Sequence, residues 1–182
     1  AKRTARLGLT GLEELAGIPG SIGGSLHMNA GAEGKEIGTL VKQVTLLTPN
    51  GDLKTISKED IKFGYRSAIY PFPVGVIVEV QLELTKGTPV TIQNKISGYL
   101  DKRKNTQPLN LPNSGSVFKN PIDAKAGKLI EDAGLKGYSI GDAGISLKHA
   151  NFIVNKGSAT ARDVAKLIKL VQKEVKEHSG YE

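Results

Sequence analysis

The 182-residue sequence contains no cysteine, no tryptophan and a single methionine. Without thiols it has no disulfide, no cysteine-ligated zinc and no thiol nucleophile, which fits a cytoplasmic protein. Aromatic residues are only 5% of the chain, and the basic residues have few aromatics between them, so the pattern of a nucleic-acid groove is missing. No apolar run approaches the roughly 20 residues that cross a bilayer, so no membrane partner is expected. Nor is a secretory leader expected from the opening residues. The chain opens on Ala1-Lys2-Arg3 rather than on methionine, as a piece of a longer protein would.

What is present is ordinary for a globular protein: 38% hydrophobic and 24% charged residues, enough chain for one domain or two small ones. The net charge of +7 comes from lysines scattered along the chain. Anionic small molecules are therefore favoured over nucleic acid as partners.

Local patterns predict an α+β chain. Thr10-Gly11-Leu12-Glu13 has the form of a capping box, predicting a short helix to about Ala16 that stops at Gly17. The run from Gly17 to Ser25 is too glycine-rich for regular structure, and Leu26 to Ala32 reads as a loop or short helix. Val44, Leu46 and Thr48, the turn Pro49-Asn50-Gly51-Asp52 and a return over Leu53 to Ile56 make a hairpin. Ser57 caps one helical turn. Val76, Val78, Val80, Leu82 and Leu84 alternate with more polar neighbours, as in a half-buried strand. Ile92, Ile96, Tyr99, Leu100 and Arg103 recur at helical spacing. Further on, a short helix around Leu129, a strand over Asn151 to Asn155 and a long terminal helix capped by Ser158 or Thr160 complete the reading. The expected domains are 1–87, a connecting helix over 88–106, and 107–182.

Three features bear on chemistry. Gly17, Gly20, Gly23 and Gly24 are spaced as neither a dinucleotide fingerprint nor a phosphate loop. With Ser21 and Ser25 their free N–H groups could cradle a diphosphate, or the run could be a tight packing turn. Arg66, in Gly64-Tyr65-Arg66-Ser67, offers a guanidinium fork for a carboxylate or a cofactor oxygen; the plain alternative is a solvated surface arginine. Between Pro112 and Pro121, Ser116, Phe118 and Asn120 would share one face of a strand and Val117 and Lys119 the other. The three histidines show no metal-ligand spacing. A Ser116–His149 hydrolase pair lacks both a nucleophile elbow and an acidic partner.

Six stretches in order carry a resemblance: Gly8 to Glu13, Gly17 to Gly24, Met28 to Ala32, Tyr65-Arg66-Ser67, Gly115 to Pro121 and His149 to Asn155. Together they resemble the UDP-N-acetylenolpyruvoylglucosamine reductase family. The resemblance implies an NADPH-dependent flavoenzyme of peptidoglycan synthesis that reduces UDP-N-acetylglucosamine enolpyruvate to UDP-N-acetylmuramate, with a flavin domain like that of the vanillyl-alcohol-oxidase superfamily. Ser116 matches the catalytic proton donor and Arg66 the arginine that stabilises developing negative charge. Ile18, Pro19, Gly20, Ser21, Gly23, Gly24, Asn29, Ala30 and Gly31 would line the FAD. Tyr65, Lys119, Asn120 and Lys104, or its neighbours Lys102 and Arg103, would hold the substrate. The resemblance further implies a cytoplasmic monomer, here a fragment lacking an N-terminal flavin subdomain and a C-terminal catalytic glutamate, and itself inactive. Glu182 is not that glutamate. The alternatives are a nucleotide-sugar binding module without turnover and, resting on net charge alone, a nucleic-acid-binding protein.

Overall fold

The computed structural model describes residues 1–181, so Glu182 lies outside the described residues. The chain divides into two compact units, Ala1–Asp101 and Lys102–Glu182.

The first unit begins with helix α1 (Lys2–Arg6) and strand β1 (Leu9–Thr10). No helix follows Thr10, contrary to the capping-box pattern. Glu13 folds back so that its carboxylate accepts from the Thr10 hydroxyl and, at 2.6 Å, from the Gly11 N–H, while β1 pairs with a later strand. Thr10 and Glu13 therefore meet through their side chains without forming the reciprocal backbone cap, and the chain beyond turns and buries Leu12, Glu13 and Ala16. The glycine run is also more ordered than its composition suggests. Ser21 accepts the Gly24 N–H and starts helix α2 (Ile22–His27) through Gly23 and Gly24. At Gly23 the helix faces Ile77, where an added Cβ would make an ordinary contact at 3.4 Å, so α2 lies packed against that neighbour.

After the short hairpin β2 (Gly31–Ala32) and β3 (Lys35–Glu36) come β4 (Val41–Leu47) and β5 (Leu53–Ser57), which pair antiparallel across the expected turn. Ser57 and Asp60 form a reciprocal cap on a single 3-10 turn. The hairpin β6 (Lys62–Gly64) and β7 (Ser67–Ile69) follows, then β8 (Val76–Leu82) and β9 (Thr85–Lys86). The main sheet has the order β5-β4-β8. Alternation in β8 fails at one point. Thr45 pairs with Glu79 but Leu46 with Ile77, so Val78 is an extra residue in a bulge. Beyond it the phase reverses: Ile77 joins Val80 and Leu82 on the core, and Val76 and Val78 are 56% and 58% exposed. Helix α3 (Pro89–Thr106) presents Ile92 and Ile96 to Ala5 and Ala16. The unit thus has two apolar clusters, the larger one around Leu26, Ile37, Val44 and Leu46.

The second unit contains strand β10 (Asn113–Ser116), helix α4 (Ala126–Asp132), strands β11 (Ser139–Ile140), β12 (Ala143–Ile145) and β13 (Phe152–Asn155), and helix α5 (Ala161–Ser179). The sheet runs β10-β13-β12-β11, all antiparallel. Helix α5 has the expected form: Thr160 and Asp163 make the cap, Leu167, Val171 and Val175 are buried, and Gly180 closes it in a left-handed conformation. The 116–120 alternation does not survive, because β10 ends at Ser116 and both Val117 and Phe118 pack on the core around Ile130 and Leu167.

Candidate functional site

In the first unit, the segment from Leu12 to Ile37 encloses a cleft of about 350 Å³ lined largely by apolar groups, among them Ile18, Gly20, Ile22, Ser25 and Ala30. The glycine run therefore divides between its two readings. At Gly20, φ is +123° and an added Cβ would meet nothing within 4 Å, so bare backbone faces open space. Gly23 packs inside α2 against Ile77, whereas Gly24, Pro19 and Ser21 are exposed. Ile22 and Leu100 were not read from the sequence as cleft-lining residues, since their place there depends on a helix and a fold contact that no local motif encodes.

Asn29 is the hub beneath this cleft. It is 0% exposed, with φ at +41°, which asparagine tolerates better than most residues. Its Nδ2 donates to Glu36 Oε2 at 2.7 Å and to the Gly64 carbonyl at 3.0 Å, and its Oδ1 accepts the Gly38 N–H at 3.0 Å. The side chain is thus committed to joining α2 to the β6–β7 hairpin, leaving a cofactor contact only to its backbone.

Arg66 sits at the tip of that hairpin with φ at +51°. Its Nη2 donates to the Gly31 carbonyl at 2.7 Å, Glu36 lies 3.9 Å from Nη1, and the guanidinium stacks over the Tyr65 ring at 4.9 Å. This is an anchored, half-buried cation rather than a solvated one. Gly31 is required there: a Cβ would come within 2.8 Å of the Glu36 side chain and 3.2 Å of Arg66 Nη1. Only one of five guanidinium donors is taken by the Gly31 bond, which leaves the fork able to bind an anion.

In the second unit, Ser116 ends β10 directly after a bulge: Asn113 pairs with Val154 and Ser116 with Phe152, so three steps on one strand match two on the other. Gly115 takes φ of +88° to make it, and Asn113 Oδ1 accepts the Gly115 N–H. Bulges commonly re-aim a side chain next to a site. Ser116 is exposed and its hydroxyl has no hydrogen-bond partner among the described residues, so no dyad with His149 forms. Asn120 Oδ1 accepts the Ala126 N–H at 3.0 Å and so holds the start of α4, while Lys119 is exposed. Lys102 and Lys104 are exposed near the end of α3, Arg103 is half-buried, and Lys148 Nζ donates to the Lys104 carbonyl at 2.6 Å.

His149 is structural. Burial pushes its pKa below the ordinary histidine value, and its Nδ1 accepts the Asn151 N–H at 3.3 Å. Among the described residues no cluster of His, Cys, Asp or Glu could hold a metal ion, and no helix is long and apolar enough to cross a membrane.

Residues 107–182 match the family described as UDP-N-acetylenolpyruvoylglucosamine reductase, C-terminal domain. The chain is 45% identical over 174 residues to the UDP-N-acetylenolpyruvoylglucosamine reductase of Clostridium perfringens, covering 96% of this chain and 57% of that protein. It is 49% identical over 164 residues to the enzyme of the same name from Halalkalibacterium halodurans, covering 90% and 54%. Among solved structures it resembles the crystal structure of UDP-N-acetylenolpyruvylglucosamine reductase from Thermus caldophilus, with a TM-score of 0.85 and 39% identity over 95% of this chain and 64% of that one. On these matches residues 107–182 correspond to the C-terminal domain of that reductase family, and the chain as a whole is similar to reductases of this name and spans about half the length of the curated relatives it matches.

Proposed function

We propose that this chain forms part of a flavin-dependent reductase that converts UDP-N-acetylglucosamine enolpyruvate to UDP-N-acetylmuramate during peptidoglycan-precursor synthesis, with NADPH as electron source. The observation that carries this reading is the 45–49% identity to reductases across at least 90% of the chain. In it, residues 1–87 contribute to a flavin-binding domain of the vanillyl-alcohol-oxidase type, 88–106 connect, and 107–182 bind substrate in a cytoplasmic, monomeric enzyme.

The apolar cleft fits a flavin: Ile18 and Ala30 offer flat contact, and the bare backbone at Gly20 admits close approach of a large planar group. FAD, when bound, supplies the hydride that adds to the enolpyruvyl double bond. Arg66 binds the substrate carboxylate and stabilises the negative charge that develops next to it, which lowers the barrier more than it tightens ground-state binding. Because Gly31 and Glu36 hold the guanidinium in place, little reorganisation is needed as that charge appears. Ser116 delivers the proton that completes addition across the double bond, and solvent restores its hydroxyl. A serine is a weak acid that needs a cation near it, and Lys119, exposed and three residues further on, is the candidate for that role. Tyr65 and Asn120 orient the sugar and enolpyruvyl groups, and Lys104 with its neighbours on α3 meets the diphosphate.

The test is titration with FAD of the complete protein of which this chain forms part, followed by anaerobic stopped-flow spectroscopy of each half-reaction. Formation of a yellow stoichiometric complex is expected, with Ser116→Ala sparing flavin reduction by NADPH and slowing its reoxidation by the enolpyruvyl substrate by about 10²–10³-fold. Absence of the complex, or equal loss in both half-reactions, contradicts the reading. Binding of the UDP-sugar without turnover would support the narrower role of a binding module.

A further inference from the structure

We propose that Asn151 is a positioning residue that holds the Ser116 hydroxyl by clamping the backbone of the two residues that follow it. The inference rests on the proton-donor role proposed for Ser116. Strand β10 stops at Ser116, yet the chain does not leave the sheet there. Three hydrogen bonds from one residue replace the ladder: the Asn151 carbonyl accepts the Val117 N–H at 2.9 Å, its Oδ1 accepts the Phe118 N–H at 2.8 Å, and its Nδ2 donates to the Phe118 carbonyl at 2.9 Å. A side-chain amide is the only side chain that presents an acceptor and a neutral donor at the spacing of a backbone peptide, so here it imitates a missing strand neighbour.

Asn151 is itself fixed. It is 4% exposed, its N–H is donated to His149 Nδ1, and α4 crowds it so closely that a Cβ on Gly127 would lie 3.6 Å from the Asn151 Cβ. The same helix begins on the Asn120 amide oxygen. Ser116 therefore lies between two restraints, the Gly115 bulge before it and the Asn151 clamp after it, while its own hydroxyl is held by neither. That arrangement sets the direction of the Cα–Cβ bond and leaves the O–H for a ligand.

Two measurements test this. In amide hydrogen exchange followed by NMR, Asn151→Ala removes protection at Phe118 while Ile145 at the centre of the sheet keeps it; unchanged protection at Phe118 overturns the clamp. In the FAD-loaded protein, Asn151→Ala slows flavin reoxidation by UDP-N-acetylglucosamine enolpyruvate about 10²-fold, as a misplacement of about 1 Å does, and leaves reduction by NADPH unchanged. Added to Ser116→Ala, it changes the rate by no more than about twofold, since the group it positions is gone. A further 10²-fold loss on the Ser116→Ala background, or no loss in the otherwise unmodified protein, overturns the inference. If Ser116→Ala itself leaves reoxidation unaffected, the proton-donor reading fails instead, and with it the catalytic meaning of the clamp. Should Asn151→Ala not fold, Asn151→Asp keeps the acceptor and loses the donor. Its rate relative to the unmodified protein rises as pH falls and the carboxyl regains a proton to donate; a flat ratio overturns the inference.

Discussion

Replacing Asn29 by Asp tests the hub of the first unit with almost no change in shape. The substitution keeps the bond from the Gly38 N–H and turns the Nδ2 donor into an acceptor facing two acceptors, the Glu36 carboxylate and the Gly64 carbonyl. The bond to a charged partner contributes about 1.5–3 kcal/mol and that to the carbonyl about 1 kcal/mol, so Asn29→Asp costs about 2.5–4 kcal/mol before any repulsion. Repulsion adds a pH dependence whose sign is determined. The introduced carboxyl is buried beside Glu36, so its folded pKa stands above its unfolded value, and the penalty is greatest above that folded pKa. The penalty recedes as pH falls and one proton is shared between the two carboxyls. Exchange of the Val44 and Leu46 amides, at the centre of β4, reports the opening free energy of this unit. A loss below about 1 kcal/mol, or one that does not shrink on acidification, would refute the reasoning that Asn29 joins α2 to the Arg66 hairpin through these bonds.

Three other expectations follow from buried groups. Leu167→Ala, at a fully buried position of α5, lowers the stability of the second unit by about 2–5 kcal/mol in chemical denaturation and leaves exchange at Val44 unchanged. Burial raises the Glu13 pKa, but the Thr10 hydroxyl and Gly11 amide bonds outweigh it and hold the carboxylate below its ordinary value. Its contribution is therefore present above the unfolded pKa near 4.3 and lost as pH falls through the lowered folded value, so Glu13→Gln flattens the acid side of the stability curve of the first unit. Desolvation keeps His149 neutral below its ordinary pKa near 6.5, so acidification from there favours the unfolded chain, which binds the proton more readily. An NMR titration should place its midpoint below 6.5, and a midpoint at or above that would contradict the structural role.

Much of the architecture was legible because it rests on local periodicity. The β4–β5 hairpin follows from alternation around a strong turn, and α5 from its apolar stripe, its Thr160 cap and Gly180. The errors have physical causes. Thr10 and Glu13 bond side chain to side chain rather than as a backbone cap, β1 pairs with β9 and the following apolar residues turn inward, so the pattern starts no helix. Strand β12 is buried at all three positions yet consists of Ala, Gly and Ile, with no periodicity to detect. In β8 a single bulge at Val78 exchanged the two faces.

The candidate site divides along the same line. By itself the sequence marked which residues to consider for chemistry, because a glycine run, an isolated arginine and a serine between turn residues are recognisable as ordered words. Only the tertiary structure decided how each is used: Gly20 faces open space while Gly23 packs, Arg66 is anchored by a carbonyl 35 residues away, and Asn29 and Asn151 spend their amides on backbone from other segments. The physical reason is range. A local pattern specifies backbone conformation over a few residues, whereas the direction and availability of a polar side chain depend on partners that only folding brings within hydrogen-bond distance.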